Sequence, residues 1–398
     1  MKSIFQHIKG DRAIWAVIAL LAVFSFLPVY SASSNLAYLY GDGNTLGFLI
    51  KHLAHLMLGF VILYGVHRIP FHYFKGLSLI VLPIVIVLLV VTMAQGTTID
   101  GANASRWIRV PIVGVSFQTS AAASVVLMVF VARYLSRIKD KAVVFKETLL
   151  PLWLPVFGVL ILILPANFST AALIFAMVLV LVFVGGYPLR YLGVIVGIGL
   201  TFLTIFVLSA KAFPGVFPNR VDTWMSRIET FWQPTEDKKN DYQIEKAKIA
   251  IASGGLVGLG PGKSVQKNFL PQSSSDFIYA IIVEEYGLSG ALVLLMLYLF
   301  LLFRLVVLVY KTQNFFGRLL VIGLGLPIIF QAFINMAVAV ALFPVTGQTL
   351  PLISAGGSSI WMTCLALGII LSVSAHHSMV PEETQDEQNP LDILSETI

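Results

Sequence analysis

The chain has 398 residues, of which 58% are hydrophobic and only 12% charged, and its mean hydropathy is +0.88. Soluble domains carry about 25% charged residues and disordered chains combine low hydrophobicity with high charge, so both classes are excluded. The formal net charge of +6 is first a signal of membrane topology, and Cys364, the only cysteine, leaves no intramolecular disulfide or cysteine metal cluster.

A membrane helix needs about 20 mostly apolar residues. Ten stretches qualify, near 13–32, 46–66, 75–95, 115–135, 149–165, 170–187, 191–210, 287–310, 317–343 and 351–375. They predict an all-α polytopic membrane protein of about ten transmembrane helices, with one long extracytoplasmic loop between helices 7 and 8. The first stretch is too long for a secretion signal and is read as retained. With the N-terminus inside, the inner segments hold fourteen of the 26 Lys and Arg residues, and the short outer loops hold only Arg106 and Arg109. The nine in 211–276 do not count against this orientation, because long loops translocate largely regardless of charge. Both termini are therefore expected in the cytoplasm, and the basic excess is not a nucleic-acid footprint. Residues 1–377 read as a single transmembrane domain with a long outer loop over 211–286. Residues 378–398, with six acids and no Lys or Arg, read as a disordered cytoplasmic tail. His52 and His55 stand at ligating spacing inside an apolar stretch, where packing or a polar contact in the bundle is the better reading.

The segment 211–276 is the one long connection, and long loops usually carry function. Arg220, Trp224 and Arg227 share a helical face by their 3–4 spacing. This suits an interfacial anchor and also a phosphate site. The run Gly254–Ser264 resembles a nucleotide-binding loop only superficially. The motif needs glycine five residues before the Gly of Gly-Lys-Ser, and that position is Val257. No nucleotide is expected. A glycine-rich turn that admits close backbone approach remains open.

Asp276 follows a polar run and precedes an apolar helix. An N-cap is the ordinary reading of such a residue. Partial desolvation would instead raise its pKa toward that of a useful base. Glu284 lies eight residues on, about 12 Å along a continuous helix, beyond the roughly 5–9.5 Å that two-carboxylate glycosidases use. The segment therefore suits a single-base reaction whose leaving group needs no proton, such as a lipid pyrophosphate stabilised by cations or Lys and Arg.

Four groups of residues carry a resemblance that covers nearly the whole chain. They are Gly101–Trp107 with Phe117–Ser120; Tyr242-Gln243 through Gly254–Gly260 and Ser264–Lys267; Leu270-Pro271 through Asp276-Phe-Ile and Glu284–Gly287; and Phe343–Gly347 with Leu350–Ser354 and Gly356–Ser359. The chain resembles the SEDS family, the FtsW/RodA peptidoglycan glycosyltransferases. Val29–Ser34 looks more like the division branch, FtsW, than like RodA. The resemblance implies ten spans, lipid II as substrate and glycan polymerisation on the outer face of the bacterial cytoplasmic membrane, at the division septum. It maps the family's aspartate onto Asp276, as general base on the 4-hydroxyl of the acceptor GlcNAc. That oxygen attacks the lipid-linked MurNAc, inverting it and releasing undecaprenyl pyrophosphate. Substrate binding falls to Arg106, Gln118, Ser120, Lys263, Gln266, Lys267 and Glu285, with Arg106, Lys263 and Lys267 as candidates to hold phosphate or sugar. A divalent cation, magnesium or manganese, is a candidate to share that task. A class B penicillin-binding protein, the transpeptidase, is the expected partner, with other division proteins. The chain departs from the family pattern at Thr119, Ala121 and Ser124, where Pro, Glu and Lys are common. It departs again at Pro165-Ala-Asn167, where Gln-Pro-Asp is common, and at Gln272–Ser275, where Glu-x-His-Thr is common. Asp276 itself is retained.

Two rival readings share the ten spans. A lipid II flippase would line a path with intramembrane ionisable groups such as Lys51, and a division scaffold would carry no activity.

Overall fold

The computed structural model describes residues 9–40, 44–95, 107–109, 116–213, 221–232, 239–270 and 272–376. Arg106, Arg220 and the tail 378–398 lie outside them. The helices are α1 (Arg12–Tyr40), α2 (Thr45–Val66), α3 (Tyr73–Gln95), α4 (Thr119–Arg137), α5 (Phe145–Ile163), α6 (Phe168–Val184), α7 (Leu189–Ala212), α8 (Val221–Trp232), α9 (Lys239–Gly254), α10 (Ile278–Lys311), α11 (Phe315–Ala339) and α12 (Gly357–His376). Among the described residues nine helices are long and apolar enough to cross a membrane, and α6 is a further apolar helix of 17 residues. The protein is thus an all-α polytopic membrane protein, each of whose ten predicted stretches overlaps one of these helices.

Three local features differ from the sequence reading. The span expected at 115–135 starts at Thr119, because Ser116–Gln118 (β2) pairs antiparallel with Trp107–Arg109 (β1), with Ile108 opposite Phe117. The span expected from 351 starts at Gly357, because the preceding residues form turns in which Leu352 takes a φ of 64°. Residues 211–276, read as a loop with one helical face at Arg220, Trp224 and Arg227, hold two helices, α8 and α9.

The chain divides into two compact units. The first comprises Met1–Gly65, Met225–Val306 and Ile328–Gly368. Here Asp11 caps α1, accepting from the N–H groups of Ala13 at 2.8 Å and Ile14 at 3.3 Å, and also pairs with the Arg304 guanidinium of α10. A Cβ on Gly59 would lie 2.9 Å from Cys364 Sγ, so the missing side chain lets α2 approach α12, as small residues do between membrane helices. His52, buried in α2, meets Ser25 Oγ of α1 at 2.8 Å, so one ring nitrogen serves a polar link between these helices. Replacing Asp11 with alanine removes a cap worth about 1 kcal/mol and strands Arg304. A destabilisation of about 1–2 kcal/mol in thermal unfolding of the purified protein is the expected result.

The second unit comprises Val66–Trp224, Val307–Pro327 and Ile369–Ile398. Its helix α4 is 67% buried over its most apolar window and α7 only 11%, so α4 is interior and α7 presents its apolar surface to lipid. Pro151 cannot donate an N–H to the helix, and α5 widens into a π turn over Leu149–Trp153. There Trp153 Nε1 donates to Tyr187 Oη at 3.2 Å, and that oxygen meets Thr148 Oγ1 at 2.6 Å. Asn167 caps α6, its side chain accepting from Thr170 N at 3.3 Å.

Candidate functional site

Helix α10 is broken at Gly287, whose φ of 67° and ψ of −165° no helix contains. The break orphans carbonyls above it and N–H groups below it, and at membrane depth such groups must be satisfied within the protein. The glycine-rich segment after α9 satisfies them. Leu259 N donates to Glu284 O and Gly260 N to Glu285 O, each at 2.9 Å. In return Leu288 N donates to Gly255 O at 2.9 Å and Ser289 N to Leu256 O at 3.2 Å. Contact this close requires bare backbone. A Cβ on Gly254 would sit 2.0 Å from Val283 O, and one on Gly258, at φ +87°, 2.2 Å from Glu285 O. The glycines therefore bring backbone to backbone.

Two side chains of the same helix tighten this clasp. Glu284, 1% exposed, accepts from Ser264 Oγ, from Val265 N at 3.0 Å and from Gln266 N at 3.2 Å. Glu285, also 1% exposed, accepts from Ser31 Oγ and from Ser264 N at 3.3 Å, and its Oε2 has no donor among the described residues. Lys267 joins the network through its ammonium, which donates to Gly262 O at 2.7 Å and Ser31 Oγ at 3.1 Å. Gln266 is half-buried on this loop and Lys263 is exposed. Two acids thus hold a loop that displays two cations. Glu284→Gln keeps the shape but gives up the charge that strengthens three hydrogen bonds. Faster tryptic cleavage at Lys263 is expected, with about a tenfold loss of whatever activity the loop supports.

Asp276 lies in a turn two residues before α10 and is half-buried. The turn is gripped from several sides. Gln272, at φ 60°, accepts from Ser275 N at 3.0 Å, and Ser273 Oγ donates to Ala32 O at 3.1 Å. Ala355 N donates to Ser274 O at 2.9 Å, Ser354 Oγ to Ser275 O at 2.6 Å and Asn335 Nδ2 to Asp276 O at 2.8 Å. The segment that supplies these donors is itself tied down. Arg227 Nη1 donates to Val345 O at 2.9 Å, Gln331 Nε2 to Thr349 O at 2.9 Å, and Tyr298 Oη to Pro351 O.

The first unit therefore gathers Asp276, Lys263, Gln266, Lys267 and Glu285, together with the Phe343–Ser359 motif. Gln118 and Ser120 belong to the second unit, where Gln118 Nε2 donates to Ser120 Oγ at 3.2 Å. Arg106 falls outside the described residues. On α8, Trp224 stacks near Phe168 and Phe206, with ring centroids at 5.0 and 6.1 Å, and Arg227 serves the Val345 carbonyl. Among the described residues no three His, Cys, Asp or Glu side chains converge as a metal site. Ser31 and Ser354 fall inside segments that carried the resemblance but were given no role, and Asn335 was not singled out. Two amides in the apolar α11, Gln331 and Asn335, were the available signal for Asn335.

Comparison with known proteins adds an independent line. A family model described as "Cell cycle protein" and covering FtsW, RodA and SpoVE matches residues 11–379. A Geobacter sulfurreducens protein named "Probable peptidoglycan glycosyltransferase FtsW" is 32% identical over 377 residues, covering 94% of this chain and 97% of the relative. A Hydrogenovibrio crunogenus protein of the same name is 33% identical, covering 94% of each chain. Among solved structures, a chain from a peptidoglycan synthase complex that coordinates polymerisation and crosslinking superposes with a TM-score of 0.72 at 26% identity, covering 93% of this chain and 99% of that one. The Thermus thermophilus rod shape determining protein RodA superposes with a TM-score of 0.66 at 25% identity, covering 93% and 98%.

Proposed function

The chain belongs to the FtsW, RodA and SpoVE cell cycle protein family, and from that premise we propose that it is a peptidoglycan glycosyltransferase that polymerises lipid II. Relatives of matching length and name support the enzyme class. The observation that carries the chemistry is the grip on Asp276: a half-buried carboxylate on an immobilised turn, leading into the helix whose acids clasp the Lys263–Lys267 loop.

In this reading Asp276 accepts the proton of the acceptor GlcNAc 4-hydroxyl as that oxygen bonds to the anomeric carbon of the lipid-linked MurNAc. The carbon inverts, and its bond to undecaprenyl pyrophosphate breaks with the electron pair leaving on phosphate. The leaving group needs no proton, so one base is enough. Lys263 and Lys267 supply positive charge, which is most effective where it is fixed before charge develops. Magnesium commonly binds through one or two carboxylates and substrate phosphates, so a divalent cation remains a candidate to accompany the pyrophosphate. No step here is routed through it. The described residues include no three-acid site that would hold such an ion alone.

The synthase-complex relative supports a transpeptidase partner, a class B penicillin-binding protein. The charge distribution supports placement in the cytoplasmic membrane with both termini inside, and the FtsW-like relatives support a septal role. Two assays test the activity and the septal role. In liposomes loaded with labelled lipid II, a polymerase lengthens glycan, whereas a flippase changes only the leaflet in which the lipid resides. In cells, depletion is expected to give filaments, and round cells would contradict the septal assignment.

A further inference from the structure

We propose that Asn335 is a positioning residue for Asp276, acting with Ser354. The inference rests on the reading of Asp276 as the base and adds to it.

Asn335 lies in the apolar helix α11 and is 1% exposed. Its Nδ2 donates to Asp276 O at 2.8 Å and to Gln348 O at 2.7 Å, which uses both amide hydrogens. Two carbonyl acceptors on one nitrogen also settle which amide atom is which. Its Oδ1 is buried and has no donor among the described residues. The side chain is therefore kept for its two N–H groups, although its acceptor goes unmet.

The geometry at Asp276 gives those N–H groups a purpose. A peptide unit is planar, so the backbone at one residue has only φ and ψ to adjust. The plane before the Asp276 Cα contains Ser275 O, and the plane after it contains Asp276 O. Ser354 Oγ holds the first at 2.6 Å and Asn335 Nδ2 holds the second. The Ser354 hydroxyl also accepts from Leu350 N at 2.7 Å, which directs its hydrogen to Ser275 O. With both flanking planes held, φ and ψ of Asp276 are set. Regular helix does not do this job. The first carbonyl of the turn taken up by the helix itself is Phe277 O, which accepts from Ala280 N at 3.0 Å. Without Asn335 the peptide after Asp276 could rotate and carry the carboxylate with it. A displacement of about 1 Å at a reacting group can cost about a hundredfold in rate.

The test uses full-length protein with its transpeptidase partner and labelled lipid II. Asn335→Leu keeps the volume and removes both donations. It should lower kcat about 10- to 100-fold while leaving the KM for lipid II within about threefold. Ser354→Ala should lower kcat about tenfold by freeing the other plane, and it keeps the question answerable should Asn335→Leu fail to fold. A merely structural role is separated by repeating Asn335→Leu in an Asp276→Glu background, where the carboxylate is already displaced. There a positioning role predicts a much smaller further loss, and an equal loss in both backgrounds overturns it. Asp276→Asn, run alongside, separates the two layers. If it stays active, the reading of Asp276 fails. If it is inactive while folded Asn335→Leu and Ser354→Ala both keep kcat within twofold, the positioning inference alone is overturned.

Discussion

Asp276→Asn is expected to reduce the turnover of lipid II by about 10²–10⁴-fold, the contribution a positioned general base makes, while lipid II still binds within about threefold. The substitution is isosteric, and Asn335, Ser354 and Ala355 hold the turn through main-chain carbonyls, which asparagine leaves in place. A loss confined to kcat identifies an interaction made in the transition state, and a loss confined to KM would point to substrate binding instead. Asp276→Glu keeps the base but moves it by one methylene. Because its backbone is pinned on both sides, the turn cannot retreat to compensate, and about a hundredfold loss is expected. Single-turnover rates set beside binding of labelled lipid II check both.

Gly258→Ala is expected to be the most destabilising single change at the clasp. The new Cβ would lie 2.2 Å from Glu285 O and 2.4 Å from its carbonyl carbon, so the loop must lift from the helix break. That orphans the Glu284 and Glu285 carbonyls, each costing about 1–3 kcal/mol. The φ of +87° adds strain of about 1–2 kcal/mol. A loss of about 3–8 kcal/mol follows from these contributions, read as a lowered Tm and rapid tryptic cleavage at Lys263. Gly262→Ala is the control. Gly262 also has positive φ, at +78°, but a Cβ there meets nothing within 4 Å, so only the strain applies. Equal effects from the two variants would show that backbone conformation rather than close approach makes Gly258 necessary.

The spans were legible because a bilayer demands some twenty apolar residues per helix, and every predicted stretch overlaps one of the described helices. Asp276 was legible as an outward acid before an apolar run, and the glycine run was legible as permitting close approach. What the glycines approach was not. The Leu259 and Gly260 N–H groups donate to the Glu284 and Glu285 carbonyls, each 25 residues on, at a helix break created by a single Gly287 inside a run that otherwise reads as continuous helix. Glu285 illustrates the same limit. The resemblance suggested substrate contact for it, and its described partners, Ser264 and Ser31, the latter 254 residues distant, are not visible in the sequence. Such partnerships depend on tertiary structure and leave no local periodicity. Asn335 did leave a trace, a buried amide in an apolar helix, where polar groups are costly unless used. The β1–β2 pair was too short for alternation to show, three residues on each side.

The most direct test of the central claim is glycan synthesis from labelled lipid II by purified full-length protein, with its class B penicillin-binding protein present, comparing Asp276 with Asp276→Asn and separating the products by chain length. The account predicts long glycan from the native protein and none above background from the variant. Equal polymer from both would remove Asp276 from the chemistry. No polymer from either, with a partner shown to bind, would contradict the assignment as a polymerase.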